Sequence, residues 1–185
     1  MNSENNYEIL TGDSIVLSKA KESDWQSMLT RVWSDGEVYK WMLFQPTLTA
    51  EDAIERCRRS IAFQKDHFAW FVAVKSTDEA IGLCAMRDNG DGHWEECGIC
   101  IGKAFQGRGY GKEILSLLLD LSFNKLGAED FRYGFFTDNE KSKKLAEKFG
   151  FVFDRFEDMT RPWDGARKKI VSCLLSKEKY LSLGK

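Results

Sequence analysis

Apolar residues recur along this chain with two alternating periods, and the switches between them mark out its elements. Residues 14–17 read as a first strand, followed by helical sequence over about 23–32. A second helix begins after Thr49, an N-cap with Asp52 three residues on, and runs to about residue 64. Three strand-like runs come next, at 68–75, 80–86 and 94–101, joined by short polar turns. The second turn contains Asn89-Gly90-Asp91-Gly92, a hairpin signal, so the three runs predict an antiparallel meander. From Ile114 the period becomes helical. Ile114, Leu117, Leu118 and Leu121 share one face, Leu115 and Leu119 widen it, and Glu113, Ser116, Asp120 and Asn124 form the opposite stripe. Gly127 ends that helix, and 130–136 reads as a strand parallel to the one before it, which makes a β-α-β crossover. A short helix over 140–149 stops at Gly150, with strands at 151–153 and 169–175. Residues 157–168 carry Asp158, Arg161, Asp164 and Arg167 around Pro162 and read as a loop. The predicted fold is α/β (α+β), a mixed, mostly antiparallel sheet with helices on both faces. It occupies one domain, 13–185, behind a frayed, polar 1–12.

Composition narrows the function. With 29 acidic against 27 basic residues over 185 positions, the charge is near balance and interspersed, so no nucleic-acid footprint is expected. No apolar run is long enough to span a bilayer, and no apolar signal segment opens the chain, so the expected location is cytoplasmic. Five cysteines, four of them (Cys84, Cys97, Cys100 and Cys173) within apolar runs, read as reduced core thiols. Cys97 and Cys100 form a CxxC, but on a strand an i, i+3 pair points to opposite faces, and no second pair completes a zinc site. No metal site is expected. His67 and His93 read as surface or loop residues.

The densest chemical signal is Gln106-Gly107-Arg108-Gly109-Tyr110-Gly111-Lys112, between a strand and a helix. Free backbone N–H groups beside a helix N-terminus suit phosphate oxygens. Spacing excludes two familiar phosphate loops. Gly111-Lys112 is followed by Glu113 where a Walker loop needs Ser or Thr, and the third glycine comes one residue early for a dinucleotide fingerprint. The run fits Q/R-x-x-G-x-G/A instead, with Gln106, Gly109 and Gly111 in the fixed places.

That loop resembles the acyl-CoA pyrophosphate loop of the GCN5-related N-acetyltransferases. A second element supports the likeness: Asn139-x-x-Ser142-x-x-Leu145-x-Glu147-Lys148-x-Gly150-Phe151 resembles the one that closes the cofactor site in that family. Glu96-Cys97-Gly98-Ile99, with Ile15-x-Leu17 and Asp24-Trp25, resembles the branch that acetylates N-termini of ribosomal proteins. The resemblance implies a β-α-β acyl-CoA-binding core, acetyl-CoA as donor, and direct transfer to a primary amine. For the donor it implies Ile99, Cys100 and Ile101 along the pantetheine arm, residues Gln106, Gly107, Arg108, Gly109, Tyr110, Gly111 and Lys112 around the pyrophosphate, and Asn139 and Ser142 opposite. Asn139 also reads as a helix cap, and Arg108 and Lys112 as solvated charges.

An attacking amine must be neutral. A lysine lies roughly three pKa units from that state at neutral pH, about 4 kcal/mol, and an α-amine within about one. Glu96 is the first candidate base and Glu95 the second, since adjacent strand positions face opposite ways. Many relatives carry a tyrosine acid where this chain has Ala146, so Ser142, water or unaided thiolate departure remains for the leaving sulfur. Trp33 and Trp41 flank a polar segment and are candidate acceptor walls. The acceptor is a protein N-terminus or, alternatively, a small amine such as a polyamine, amino sugar or antibiotic. A CoA-binding sensor without turnover is a third possibility. No nucleic-acid or membrane partner is expected, and the protein is either a monomer or a homodimer.

Overall fold

A computed structural model describes residues 7–184. In chain order the strands and helices are β1 (Ile9–Thr11), β2 (Ile15–Ser18), α1 (Trp25–Met28), α2 (Gly36–Tyr39), α3 (Ala50–Asp66), β3 (Ala69–Val74), β4 (Glu79–Asp88), β5 (His93–Ile101), α4 (Tyr110–Asp120), β6 (Asp130–Phe136), α5 (Glu140–Phe149), β7 (Val152–Thr160), β8 (Arg167–Ser176) and α6 (Lys177–Ser182). The eight strands form a mostly antiparallel sheet. The chain packs as two compact units: the first holds the residues up to Met86 with Cys97–Leu117, the second Arg87–Glu96 with Leu118 onward.

In the first unit the strands lie in the order β1-β2-β3-β4-β5. β3 is buried along nearly its whole length, which explains its unbroken apolar sequence. Its Phe71 packs edge-on against Trp33, ring centroids 6.0 Å apart, in a core shared with Met28, Val32, Ala53 and Cys57. The expected first helix is less regular than its pattern: α1 widens into a π-turn over Leu29–Trp33. α3 starts as predicted, with the Thr49 hydroxyl accepting from Asp52 N–H. Its Gln64 is buried and takes the Ala20 N–H at 2.6 Å. Gly82 sits where an added Cβ would come within 2.2 Å of the Cys100 carbonyl oxygen, so β4 and β5 run unusually close there.

The second unit has the order β5-β6-β8-β7. β5 and β6 pair in parallel from His93↔Asp130 to Glu95↔Arg132, which confirms the crossover through α4. Of the leucine stripe, Ile114, Leu115, Leu118, Leu119 and Leu121 are buried. The predicted hairpin turn is closed by Asn89 N–H to His93 O at 2.8 Å, with Gly90, Asp91 and Gly92 all left-handed. α5 ends at Gly150, whose φ of 77° lets its N–H turn back onto Ala146 and Glu147 carbonyls. Phe131, Tyr133 and Phe151 pack together beside it.

Three expectations are corrected. Within the stretch read as frayed, Ile9–Thr11 forms β1, with Leu10 paired to Leu17; residues 1–6 of that stretch lie outside the described residues. The stretch 157–168 is not a loop: β7 continues to Thr160 and β8 resumes at Arg167, so only the tip between them is a turn. No disulfide joins any of the five cysteines, but Cys97 is exposed while the other four are buried.

Candidate active site

The glycine run is built from its ends inward. Gln106 Nε2 donates to Ile101 O at 2.9 Å, fastening the loop to the end of β5. Gly107 and Gly109 have φ of 81° and 88°, and no atom lies within 4 Å of where a Cβ would stand on either. Glycine is needed there for its left-handed backbone, and the space ahead is open. α4 begins at Tyr110, and Glu113 N–H to Gly109 O at 3.1 Å is an early rung of its ladder. The amides of Tyr110, Gly111 and Lys112 precede that rung and carry the partial positive charge of the helix terminus. The Glu113 carboxylate, which would oppose an anion, is turned away, accepting from Ser14 N–H at 2.7 Å and Ile15 N–H at 3.1 Å. Arg108 and Lys112 are exposed, Arg108 resting 5.5 Å from the Phe105 ring. Open left-handed glycines, unladdered amides and two cations fit a diphosphate.

In the second unit the two candidate bases have different surroundings. Glu95 Oε2 accepts from Arg87 at 2.8 Å and Asn89 at 3.0 Å. Burial alone would raise its pKa, but the hydrogen bonds from Asn89 and Arg87, with the Arg87 and Arg132 charges, outweigh burial and hold it below the ordinary glutamate value. Glu96 is half-buried and within electrostatic reach of the Tyr133 hydroxyl. That hydroxyl, on β6, is buried and hydrogen-bonded to the Ser142 side chain. Burial first, then the Glu96 charge, push its pKa well above the usual phenol value, against the Ser142 bond. Ser142 N–H in turn donates to Asn139 Oδ1 at 3.2 Å, so Asn139 caps α5. Asn139, Ser142 and Tyr133 therefore form one hydrogen-bonded series. Ala146 is buried in the same helix.

A family profile described as the acetyltransferase (GNAT) domain matches residues 14–152. The chain belongs to the GNAT acetyltransferase family. This GNAT protein is 29% identical to the uncharacterized N-acetyltransferase p20 of Bacillus licheniformis, over 89% of its own length and 92% of the relative's. It is 26% identical to the uncharacterized N-acetyltransferase YoaA of Bacillus subtilis, over 78% and 83%. Its fold matches that of a GCN5-related N-acetyltransferase from Brucella melitensis at TM-score 0.82, with 19% identity over 97% of this chain and 83% of the other. A ribosomal-protein-S5-alanine acetyltransferase from Vibrio fischeri matches at 0.74, with 16% identity over 93% and 98%. The protein is thus an N-acetyltransferase.

Two functional candidates in this GNAT domain escaped the sequence reading. Tyr133 alternates with Phe131 and Phe135 on the buried face of β6, and its hydroxyl among phenylalanines was the available signal. Arg56 sits in the polar pattern of α3, yet is half-buried against Trp33 and Phe44. Of the expected acceptor walls, Trp33 is fully buried in the first unit's core, while Trp41 is partly exposed with the Lys40 ammonium 5.3 Å from its ring. Cys100 and Ile101 are buried and Ile99 half-buried. Among the described residues no group of three or more His, Cys, Asp or Glu could hold a metal ion, and no helix is long and apolar enough to cross a membrane.

Proposed function

We propose that this GNAT enzyme acetylates a protein N-terminal α-amine, using Glu96 as base and Ser142, oriented by Tyr133, as proton donor to the leaving sulfur. Acetyl-CoA, when bound, supplies the activated thioester carbonyl. The loop amides from Gly107 to Lys112, with Arg108 and Lys112, would hold its diphosphate, and Ile99 to Ile101 would offer a strand backbone to its pantetheine arm. Glu96, directly or through water, takes the proton that the amine sheds as its nitrogen bonds the carbonyl carbon. Ser142 passes its hydroxyl proton to the sulfur as the carbon–sulfur bond breaks and is reprotonated by water. The proton Glu96 took is released to solvent, so free thiol and amide leave and both side chains return to their starting states.

The observation that carries the α-amine reading is the weakness of the base set. Glu95 is committed to Arg87 and Asn89 and kept acidic, so it cannot strip a lysine-like ammonium. An α-ammonium already releases its proton near neutral pH and needs only the help Glu96 can give. The likeness to the Vibrio fischeri protein points the same way. The test is acceptor-dependent release of CoA thiol with three probes: peptides with a free N-terminus, the same peptides N-blocked but carrying lysine, and spermidine. Turnover confined to free N-termini is expected; faster turnover of blocked lysine peptides or spermidine would overturn the reading. Glu96→Gln should lower kcat by about 10²-fold or more without weakening acetyl-CoA binding.

A further inference from the structure

Arg56 holds a half-buried positive charge in the first unit, with no acidic partner within salt-bridge distance among the described residues. Its guanidinium carbon lies 4.3 Å from the Phe44 ring centroid and 4.8 Å from that of Trp33. Nη1 donates to Gln45 O and to Thr47 Oγ1, both at 2.9 Å. These two bonds engage one nitrogen. The N–H groups of Nε and Nη2 have no acceptor among the described residues, out of five donors that a guanidinium presents in a rigid fork. Two of the acids of its own helix are engaged elsewhere: Asp52 takes the Thr49 hydroxyl at 2.7 Å, and Glu55 faces Arg59 at 3.8 Å. Burial lowers its pKa to about 10, which leaves it charged at neutral pH.

The Trp33 indole N–H, in the ring against which Arg56 stacks, is a further donor with no acceptor among the described residues. Of these donors only the Trp33 N–H is buried; Arg56 is half-buried, and its Nε and Nη2 groups are not buried unsatisfied atoms. A partly desolvated guanidinium held in place by two aromatic rings and two hydrogen bonds, with donors still open, is suited to an incoming oxyanion, which supplies charge and several lone pairs at once. Arg56 is also within electrostatic range of Cys100, the residue between Ile99 and Ile101 on the strand assigned to the donor's arm.

We propose that Arg56 anchors an oxyanion of the acceptor, so that the amine acetylated by this enzyme belongs to a molecule carrying a carboxylate or phosphate. For a protein N-terminus this means an acidic side chain near the α-amine; for a small molecule it means an amino acid or a phosphorylated amine. The inference rests on the reading of an amine acceptor above, but not on that amine being peptidic.

The test uses acceptors matched in everything but the anion. Peptides beginning Ser-Asp are compared with Ser-Asn, β-alanine with β-alaninamide, and phosphoethanolamine with ethanolamine, each scored by kcat/KM for CoA thiol release. The anionic member of at least one pair should be preferred about 10- to 100-fold, and the pair that shows it identifies the source. In Arg56→Gln that ratio should fall to about one. A merely structural clamp on Gln45 and Thr47 would lower both members together and leave the ratio standing, which would overturn the proposal, as would equal rates in the wild type. Should the variant fail to fold, the wild-type ratios still decide. A second readout needs no turnover: the preferred anionic acceptor should shift the Trp33 indole N–H resonance, assigned with Trp33→Phe, more than its neutral partner does. Equal turnover of Ser-Asp and Ser-Asn peptides, with no anion preference in either small-molecule pair, would remove this proposal and keep the α-amine reading. Turnover of phosphoethanolamine alone would do the reverse.

Discussion

A hydroxyl becomes useful through what holds it. Tyr133 is buried, bonded to Ser142 and close enough to Glu96 to be affected by its charge, so burial and that charge keep it protonated through and beyond the ordinary phenol range. It therefore orients Ser142 without itself ionising in any assay near neutrality. Tyr133→Phe should lower kcat about tenfold while leaving the acetyl-CoA KM alone. Combined with Ser142→Ala it should add little further loss, because in the proposed mechanism the two act as one hydrogen-bonded unit. Independent, fully additive effects in that double-mutant cycle would separate them. Neither Tyr133 nor Arg56 was legible as functional in the sequence. A tyrosine alternating with phenylalanines looks like core, and an arginine on the polar side of a helix looks solvated. Their roles arise when α5 packs on β6 and when Phe44 to Thr47 fold over α3, contacts that no local pattern encodes. The glycine loop, by contrast, was legible because positive φ and helix initiation are written in consecutive residues.

Among the elements, α4 is anchored by its own first turn. Glu113 gathers the N–H groups of Ser14 and Ile15, so the start of the helix that follows the glycine loop is tied to the start of β2. Glu113→Ala would strand a half-buried backbone donor and remove two charge-assisted bonds. Urea denaturation should show a loss of about 1–3 kcal/mol, with Glu113→Gln recovering part of it. No loss would mean that the clamp contributes nothing. Elements with their own punctuation, such as α3 behind Thr49 and α5 between Asn139 and Gly150, could be placed from the sequence to within a few residues. β1 could not, since three residues amid polar sequence become a strand only by pairing with β2. The length of β7 was hidden for a related reason: Val152, Phe153 and Phe156 are exposed, and its ladder with β8 rather than an apolar face sustains it.

Across the whole molecule the acidic groups are unevenly placed. Glu95, Asp154 and Asp164 all belong to the second unit and all have lowered pKa values. For Asp154 the cause is the Arg132 hydrogen bond, and for Asp164, at about 2, the Arg161 bond. Carboxylates more acidic in the folded state stabilise it above their unfolded pKa, near 4, and lose that contribution as pH falls toward about 2. In the first unit Asp24 is shifted upward by burial, so acid relieves it instead. Hydrogen exchange followed down in pH should therefore show the second unit losing protection first, between about pH 4.5 and 2. Earlier loss in the first unit would contradict this. One exposed atom has a practical consequence. Four of the five thiols are shut away, and Cys97 stands in solvent one residue after Glu96. A maleimide dye should therefore label the native protein at a single place, yielding an optical reporter beside the proposed base without any engineered cysteine.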